Sequence, residues 1–346
     1  VSNGVVSSFD ATSSRTDKLQ LDVPGPVLVD ASSRIDVSGK GYLAGRTSSN
    51  TTAGASSGGS GGSYGGLGGS YSGTACAVYG SYLDPDDWGS GGGTGWGGGA
   101  GGGLVRVVAG SLTLNGQLLA NGNAAVGAGS GGGIYVLVGT LAGSGSIEAK
   151  GGSGSYGGGG GGRIAVYAAD YSGFNLANIR SDGGTGNQPG GAGTIYIRDT
   201  DQVAGTLVIS MGGSSAGVTP IGLPGTNAAM FESLVIRAGG AARPEHAGMN
   251  LTCTGELRVE DGGRLLSVDG TWTVAGPVTV GSNGVMEIVG SLSTPSNLVV
   301  QAGTLYGGRI AAAVMSVVSN GVVSSFGATS SRTYKLQMDV TGAVVV

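Results

Sequence analysis

Acidic residues are sparse in this chain, 21 among 346, so three of them within four positions stand out. Asp84, Asp86 and Asp87 lie in SYLDPDDW. Clustered carboxylates are the hard oxygen donors that a Ca²⁺ ion gathers, usually with several further oxygens. The same residues also suit a charged turn built on Pro85, and the nonapeptide Ca²⁺ pattern GGxGxDxUx is absent. Ca²⁺ is therefore the one cofactor the sequence raises. A second acidic set, Asp36, Glu148 and Asp182, falls near the ends of similar segments. Glycan-cleaving sites need carboxylates converging on one face. Here the offsets differ and Lys150 and Arg180 are interleaved, which reads as a solvated face. No catalytic residue is assigned, and no enzyme is expected.

The remaining reactive groups are few. Cys76 and Cys253 are the only cysteines, His246 is the only histidine, and no CxxC occurs. That excludes a zinc cluster or a dithiol redox motif. In an oxidising setting the two thiols pair, with each other or with a neighbouring copy. Asn50 in NTT and Asn250 in NLT match the glycosylation acceptor pattern. The net charge is −4 and basic residues are scattered, so a nucleic-acid partner is not expected. No apolar run is long enough to span a bilayer.

The elements that must carry these residues are short and β-rich. Runs of Val, Ile, Leu, Thr and Tyr alternate with smaller or polar residues and end at Gly, Asn or Asp, a strand signature. Stretches of apolar residues at helical spacing with caps are missing. Leu104, Ile134, Ile164 and Ile195 head similar strands, at intervals of 30, 30 and 31. Leu118, Ile147 and Ile179 close them, and Ile35 is an earlier member of that series. Alternation puts Ile134, Val136 and Val138 inside and Tyr135 and Leu137 outside. Six consecutive glycines, 157–162, are expected to form a bare-backbone edge packed on another chain segment. After about residue 205 the glycine runs stop, and LVIRAGG, LRVEDGG, VTVGSNG and LVVQAG follow at intervals of 23, 21 and 20.

A longer repeat encloses the short ones. Residues 1–29 recur at 318–346 with no gap, an offset of 317, and 23 of the 29 aligned positions are identical. Tandem repetition of this kind is the mark of stacked-repeat architectures. The expectation is one whole unit and the opening of a second, cut from a longer polypeptide. Glycine, at 77 residues, is far above ordinary usage and charge, at 11%, far below it. Pro is only 9 residues and no Gly-X-Y period exists, which excludes collagen. Low charge with 39% hydrophobic residues excludes a disordered chain.

Together the phrases GSGGGIYV, GSGSIEAKGG, GGGGGGRIAVY and GGAGTIYIRD, led in by SYLDPDDWGSGGG, carry a resemblance. They are similar to those of giant bacterial tandem-repeat surface and filament proteins, adhesin-like and glycine-rich. The resemblance covers about 30–200 well, and 206–346 only in the loose sense shared by filamentous-haemagglutinin-like solenoids. It implies a right-handed parallel β-helix, an extracellular or cell-surface setting, and a scaffold or adhesion role. It carries over no catalytic residues.

The expected organisation is all-β: a β-solenoid with wide coils of about 30 residues followed by narrower ones of about 20. Its parts are 1–41, the start of the unit; 42–100, a Gly/Ser/Tyr-rich insertion expected as a surface excursion; 101–205, wide coils; 206–317, narrow coils; and 318–346, the next unit's start. The expected function is a structural repeat of an extracellular filament or stalk. Its partners are neighbouring repeats or copies of itself end to end, with lateral filament contacts. The alternatives are an adhesin segment binding a glycan or surface through 42–100, and a polysaccharide-active enzyme.

Overall fold

The computed structural model describes residues 3–212, 217–223, 225–328 and 333–346. It divides into two compact units, Val1–Val203 with Ser215–Thr219 and Ala204–Ser214 with Pro220–Val346. Regular structure among the described residues is strand, apart from three single 3-10 turns. Every strand pairing among them is parallel. Parallel neighbours need a long crossover, and here each crossover returns the chain beside the strand it left.

In the first unit the main ladder joins Leu19–Val29, Leu104–Leu114, Gly133–Gly143, Arg163–Phe174 and Thr194–Asp199. Val107, Val136, Val166 and Ile197 lie one above another, in steps of 29, 30 and 31 along the chain. The expected phase holds: Ile134, Val136 and Val138 are buried, while Tyr135 and Leu137 lie on the other face. One alignment shifts. Val105, not Leu104, pairs with Ile134, because Leu104 stands opposite Gly133. A second sheet stacks Val6, Ile35, Leu118, Ile147 and Ile179 in one register.

Residues 42–100 leave after Ile35 and return before Leu118, two residues that are direct neighbours in that sheet. The surface excursion expected there is corrected. Residues 59–66 are buried and Tyr64 is fully enclosed. The reason is steric: the glycine runs of the later coils expose backbone that only a similarly bare segment can cover.

The second unit is built on side chains. Leu207, Leu234, Leu257, Val278, Leu298 and Met315 form one buried row, with steps falling from 27 to 23, 21, 20 and 17 along the chain. Ala229, Leu251, Trp272, Leu292 and Ile310 form a second. Ala242, Leu265, Met286 and Leu305 form a third. The intervals of 23, 21 and 20 read from the sequence are the pairing steps. Corners use positive φ at Ala238, Gly239, Asp261, Gly262 and Asn283, where the αL conformation turns the chain between strands.

Candidate functional site

The most heavily constrained place in the chain carries no reactive side chain. Gly157 to Gly162 donate their N–H groups in strict rotation to three neighbours. Gly157 and Gly160 donate to Gly59 and Gly62, Gly158 and Gly161 to Gln188 and Gly191, and Gly159 and Gly162 to Gly152 and Ala149. Residues 127–132 do the same: 127 and 130 donate to Gly97 and Ser90, 128 and 131 to Gly157 and Gly160, 129 and 132 to Asn123 and Ala120. A rotation every third residue is the symmetry of the extended polyproline II helix, with three residues per turn. An isolated helix of that type leaves its backbone to water; here neighbouring chain segments take water's place.

Glycine is required in this layer for proximity. None of 157–162 has positive φ. A Cβ at Gly160 would lie 2.0 Å from the Gly66 carbonyl oxygen, one at Gly159 1.9 Å from that of Gly129, and one at Gly161 1.9 Å from that of Ser181. Each distance is far inside van der Waals contact. The layer supplies rigidity and a satisfied backbone, but no acid, nucleophile or metal ligand.

The DPDD loop and the strands beneath it form the second cluster. Asp84 receives a hydrogen bond from Arg106 Nη1 at 2.6 Å. Asp86 lies 3.9 Å from both Lys18 Nζ and Arg106 Nη1. Asp87 turns the other way and accepts from Tyr42 Oη at 2.6 Å, Trp88 N at 2.9 Å and Ser48 Oγ at 3.1 Å. Burial raises the Asp87 carboxyl above the usual range, against those three hydrogen bonds. Burial, with Asp87 beside it, raises the Tyr42 hydroxyl. The three carboxylates do not converge, and among the described residues no group of three His, Cys, Asp or Glu is placed to hold a metal.

This loop lies over the outer face of the main sheet. Tyr167 Oη donates to the Leu83 carbonyl at 2.5 Å, and Arg163 Nε donates to the Tyr79 carbonyl at 2.8 Å. Arg106 stacks over Tyr135 at 4.0 Å and Arg198 over Tyr167 at 4.7 Å, cation–π contacts. The wider acidic set is matched locally, each with a cation two residues away: Asp36 with Arg34, Glu148 with Lys150, and Asp182 with Arg180. In the sheet Leu119 separates Asp36 from Glu148. The arrangement is a charge-paired stripe.

The other sequence candidates sit apart. Cys76, in the first unit, and Cys253, in the second, are both buried free thiols. Ser63 N lies 3.2 Å from Cys76 Sγ. Burial pushes the Cys253 thiol up to about 12. Asn50 is engaged through its amide, which donates to the Thr12 carbonyl at 3.0 Å. Asn250 is exposed on the strand Asn250–Cys253, its Oδ1 accepting from Thr271 N.

Sequence reasoning missed one cluster. Tyr71 stacks on Tyr156 at 4.3 Å, and Trp96, 53% exposed, meets Tyr156 edge-on at 5.9 Å. Two of these residues come from the 42–100 segment and one from a coil. Only the recurrence of aromatic residues among glycines hinted at it. Among the described residues no helix is long and apolar enough to cross a membrane. No family model, curated protein or solved structure matches the chain.

Proposed function

We propose that this chain is a structural repeat of an extracellular filament or stalk, built as a right-handed parallel β-solenoid and without a catalytic role. The observation that carries the reading is the run of in-register parallel ladders. Val107–Val136–Val166–Ile197 in one unit and Leu207–Leu234–Leu257–Val278–Leu298–Met315 in the other stack apolar residues in single file. Stacked coils bury a core that no coil buries alone, and they extend along one axis. The tandem copies at 1–29 and 318–346 supply a way to continue. A glycine-packed layer adds stiffness and brings no reactive group. Its place is the cell surface or beyond, as the glycine-rich phrases imply, and its partners are copies of the same unit.

Electron microscopy of the native material tests this. Parallel strands stacked along one axis give the fibre a regular axial repeat of ~4.8 Å. Isolated globular particles, or fibres without that repeat, would refute the reading.

One observation favours a second reading, an adhesin stalk that binds glycan. Trp96, Tyr71 and Tyr156 form a partly exposed aromatic cluster supplied largely by the 42–100 segment, and amphipathic aromatic rings are common anchors at binding surfaces. A glycan that binds the native chain but not Trp96→Ala, at unchanged stability, would support it. A polysaccharide-active enzyme has only Asp36, Glu148 and Asp182 to rest on, each paired with a cation two residues away.

A further inference from the structure

The same segment occurs twice in this chain and is paired from opposite sides. At the first occurrence the pairing is to later strands: Val6 with Ile35, Leu21 with Val107, and Val27 with Leu112. At the second, the equivalent residues pair with earlier strands: Val323 with Leu305, Met338 with Ile310, and Val344 with Met315. The phase agrees throughout. Ile35, Val107 and Leu112 are buried, and so are Leu305, Ile310 and Met315. One set of alternate residues thus serves as the inward row on both sides.

Each occurrence lacks what the other has. Of the inward row itself, Val6, Leu21 and Val27 in the first copy are only half-buried, and Met338 and Val344 in the second are exposed. Concentrated exposed apolar surface marks an interaction site, and an open strand edge is a template for another chain.

We propose that the repeated segment is a junction coil and that its open side takes a second copy of this chain in a fixed register. Three ladders then run through the junction: Leu305–Val6–Ile35, Ile310–Leu21–Val107 and Met315–Val27–Leu112. The three buried rows of the narrow coils pass without a slip into the two sheets of the wide ones. In this chain Val322–Ser324, Gln337–Val340 and Val344–Val345 pair along the strand Thr304–Val318, the place the next copy's residues 5–29 would take. In this chain the second copy therefore covers that strand. The inference rests on the stacked-coil reading above.

This arrangement makes an unusual prediction for the 346-residue chain. Met338→Asp, Asp339→Pro and Val344→Asp together release the second copy and leave Thr304–Val318 open to residues 5–29 of another molecule. Leu21→Asp, Asp22→Pro and Val27→Asp release the first copy and leave Leu104–Leu114 open to residues 318–346 of another. Either triple variant should assemble head to tail, read as a molar mass by light scattering several-fold above 33.3 kDa. The variant carrying both sets should not assemble, although it is the most damaged. Adding Ala311→Cys with Asp22→Cys to the first triple variant should give an oxidised ladder, because Ala311 pairs with Asp339, the equivalent of Asp22. Ala311→Cys with Val23→Cys, out of phase, should not.

Hydrogen exchange over 304–318 reports that the strand has been vacated. A vacated strand without assembly overturns the proposal, and so does equal assembly of the doubly altered variant, which would mark mere aggregation. If assembly fails while native material still shows a fibre, the junction is wrong and the filament stands. If the variants assemble while native material is globular, the junction stands and the filament is wrong.

Discussion

The two units solve one problem, filling the inside of stacked strands, by opposite means. The second unit fills it with side chains: Trp272, Leu265, Met286 and their row-mates are fully buried. The first unit does so along its main sheet, with Val107, Val136 and Val166, but fills the rest with backbone, because Gly158 to Gly162 are enclosed by other glycine-rich segments. Side-chain filling tolerates variation in step length, and the second unit's steps range from 27 down to 17. Backbone filling ties each hydrogen bond to one carbonyl in three neighbours, and after the 42–100 segment the main sheet of the first unit steps by 29, 30 and 31. Apolar volume can be redistributed; a three-way backbone lattice cannot.

The largest expected effect breaks the shared part of the comparison. Ile134→Asp puts an unpaired charge into a fully buried ladder and should cost about 4 kcal/mol or more. Tyr135→Asp, on the other face, loses the Arg106 cation–π contact and should cost about 1 kcal/mol. Denaturant melts of the two variants check this, and equal losses would mean the inside and outside are misassigned.

Next, opposite changes of size should hurt the two units alike. Trp272→Ala empties the second unit's core and should cost about 3–5 kcal/mol. Gly160→Ala adds one methyl at 2.0 Å from the Gly66 carbonyl oxygen and should cost about 3 kcal/mol by overpacking. A neutral Gly160→Ala would show that the layer yields and is no lattice.

The two thiols sharpen the comparison without any mutation. Cys76 reports on the first unit and Cys253 on the second, and both are buried. Thiolate is the reactive form, and burial holds Cys253 far from it. Neither should react with a thiol reagent in the native chain. Under rising denaturant, mass mapping of the labelled cysteine shows which unit opens first; the side-chain-filled unit is expected to yield before the glycine lattice. Rapid native labelling of either thiol would contradict the enclosure described.

The smallest effect is confined to the second unit. His246 faces two carbonyls, Ala247 O at Nδ1 and Thr226 O at Nε2, so both ring nitrogens find acceptors only when both are protonated. Its pKa is raised above 6.5, first by the Ala247 carbonyl and then by that of Thr226. A raised value means that the stabilisation is complete below pH 6.5 and fades as pH climbs through the folded value. The residue is only partly buried, so the change is small. NMR titration of the ring should give a midpoint above that of a model histidine, and His246→Gln should remove the slight pH dependence.

Much of the strand framework was legible because apolar alternation and glycine-ended runs recur at fixed intervals. Ile35, Leu118, Ile147 and Ile179 align as the sequence implies. The one-residue slip at Leu104 arose because two adjacent apolar residues, Leu104 and Val105, fit the alternation equally well, and both are buried. The burial of 59–66 within the 42–100 segment was not legible. Glycine and serine carry no hydrophobic period, and a segment packed through its backbone looks like a linker. The candidate sites fared differently. Carboxylates close in sequence, such as Asp84 and Asp87, turned to opposite partners, Arg106 and Tyr42. Spacing does not show which way a loop side chain points.

The threefold rotation of hydrogen bonds along 157–162 sets a rule for how such a chain can change over time. Losing or gaining one glycine there would turn every later N–H toward the wrong neighbour. A change of three would restore each to its own partner. Length variation among related units should therefore fall in multiples of three within the glycine runs, and the matching change should appear in the segments around Gly59–Gly62, Ala149–Gly152 and Gln188–Gly191. The 42–100 segment is bound by that same arithmetic, so it would be inherited with its coils and not exchanged like a surface loop.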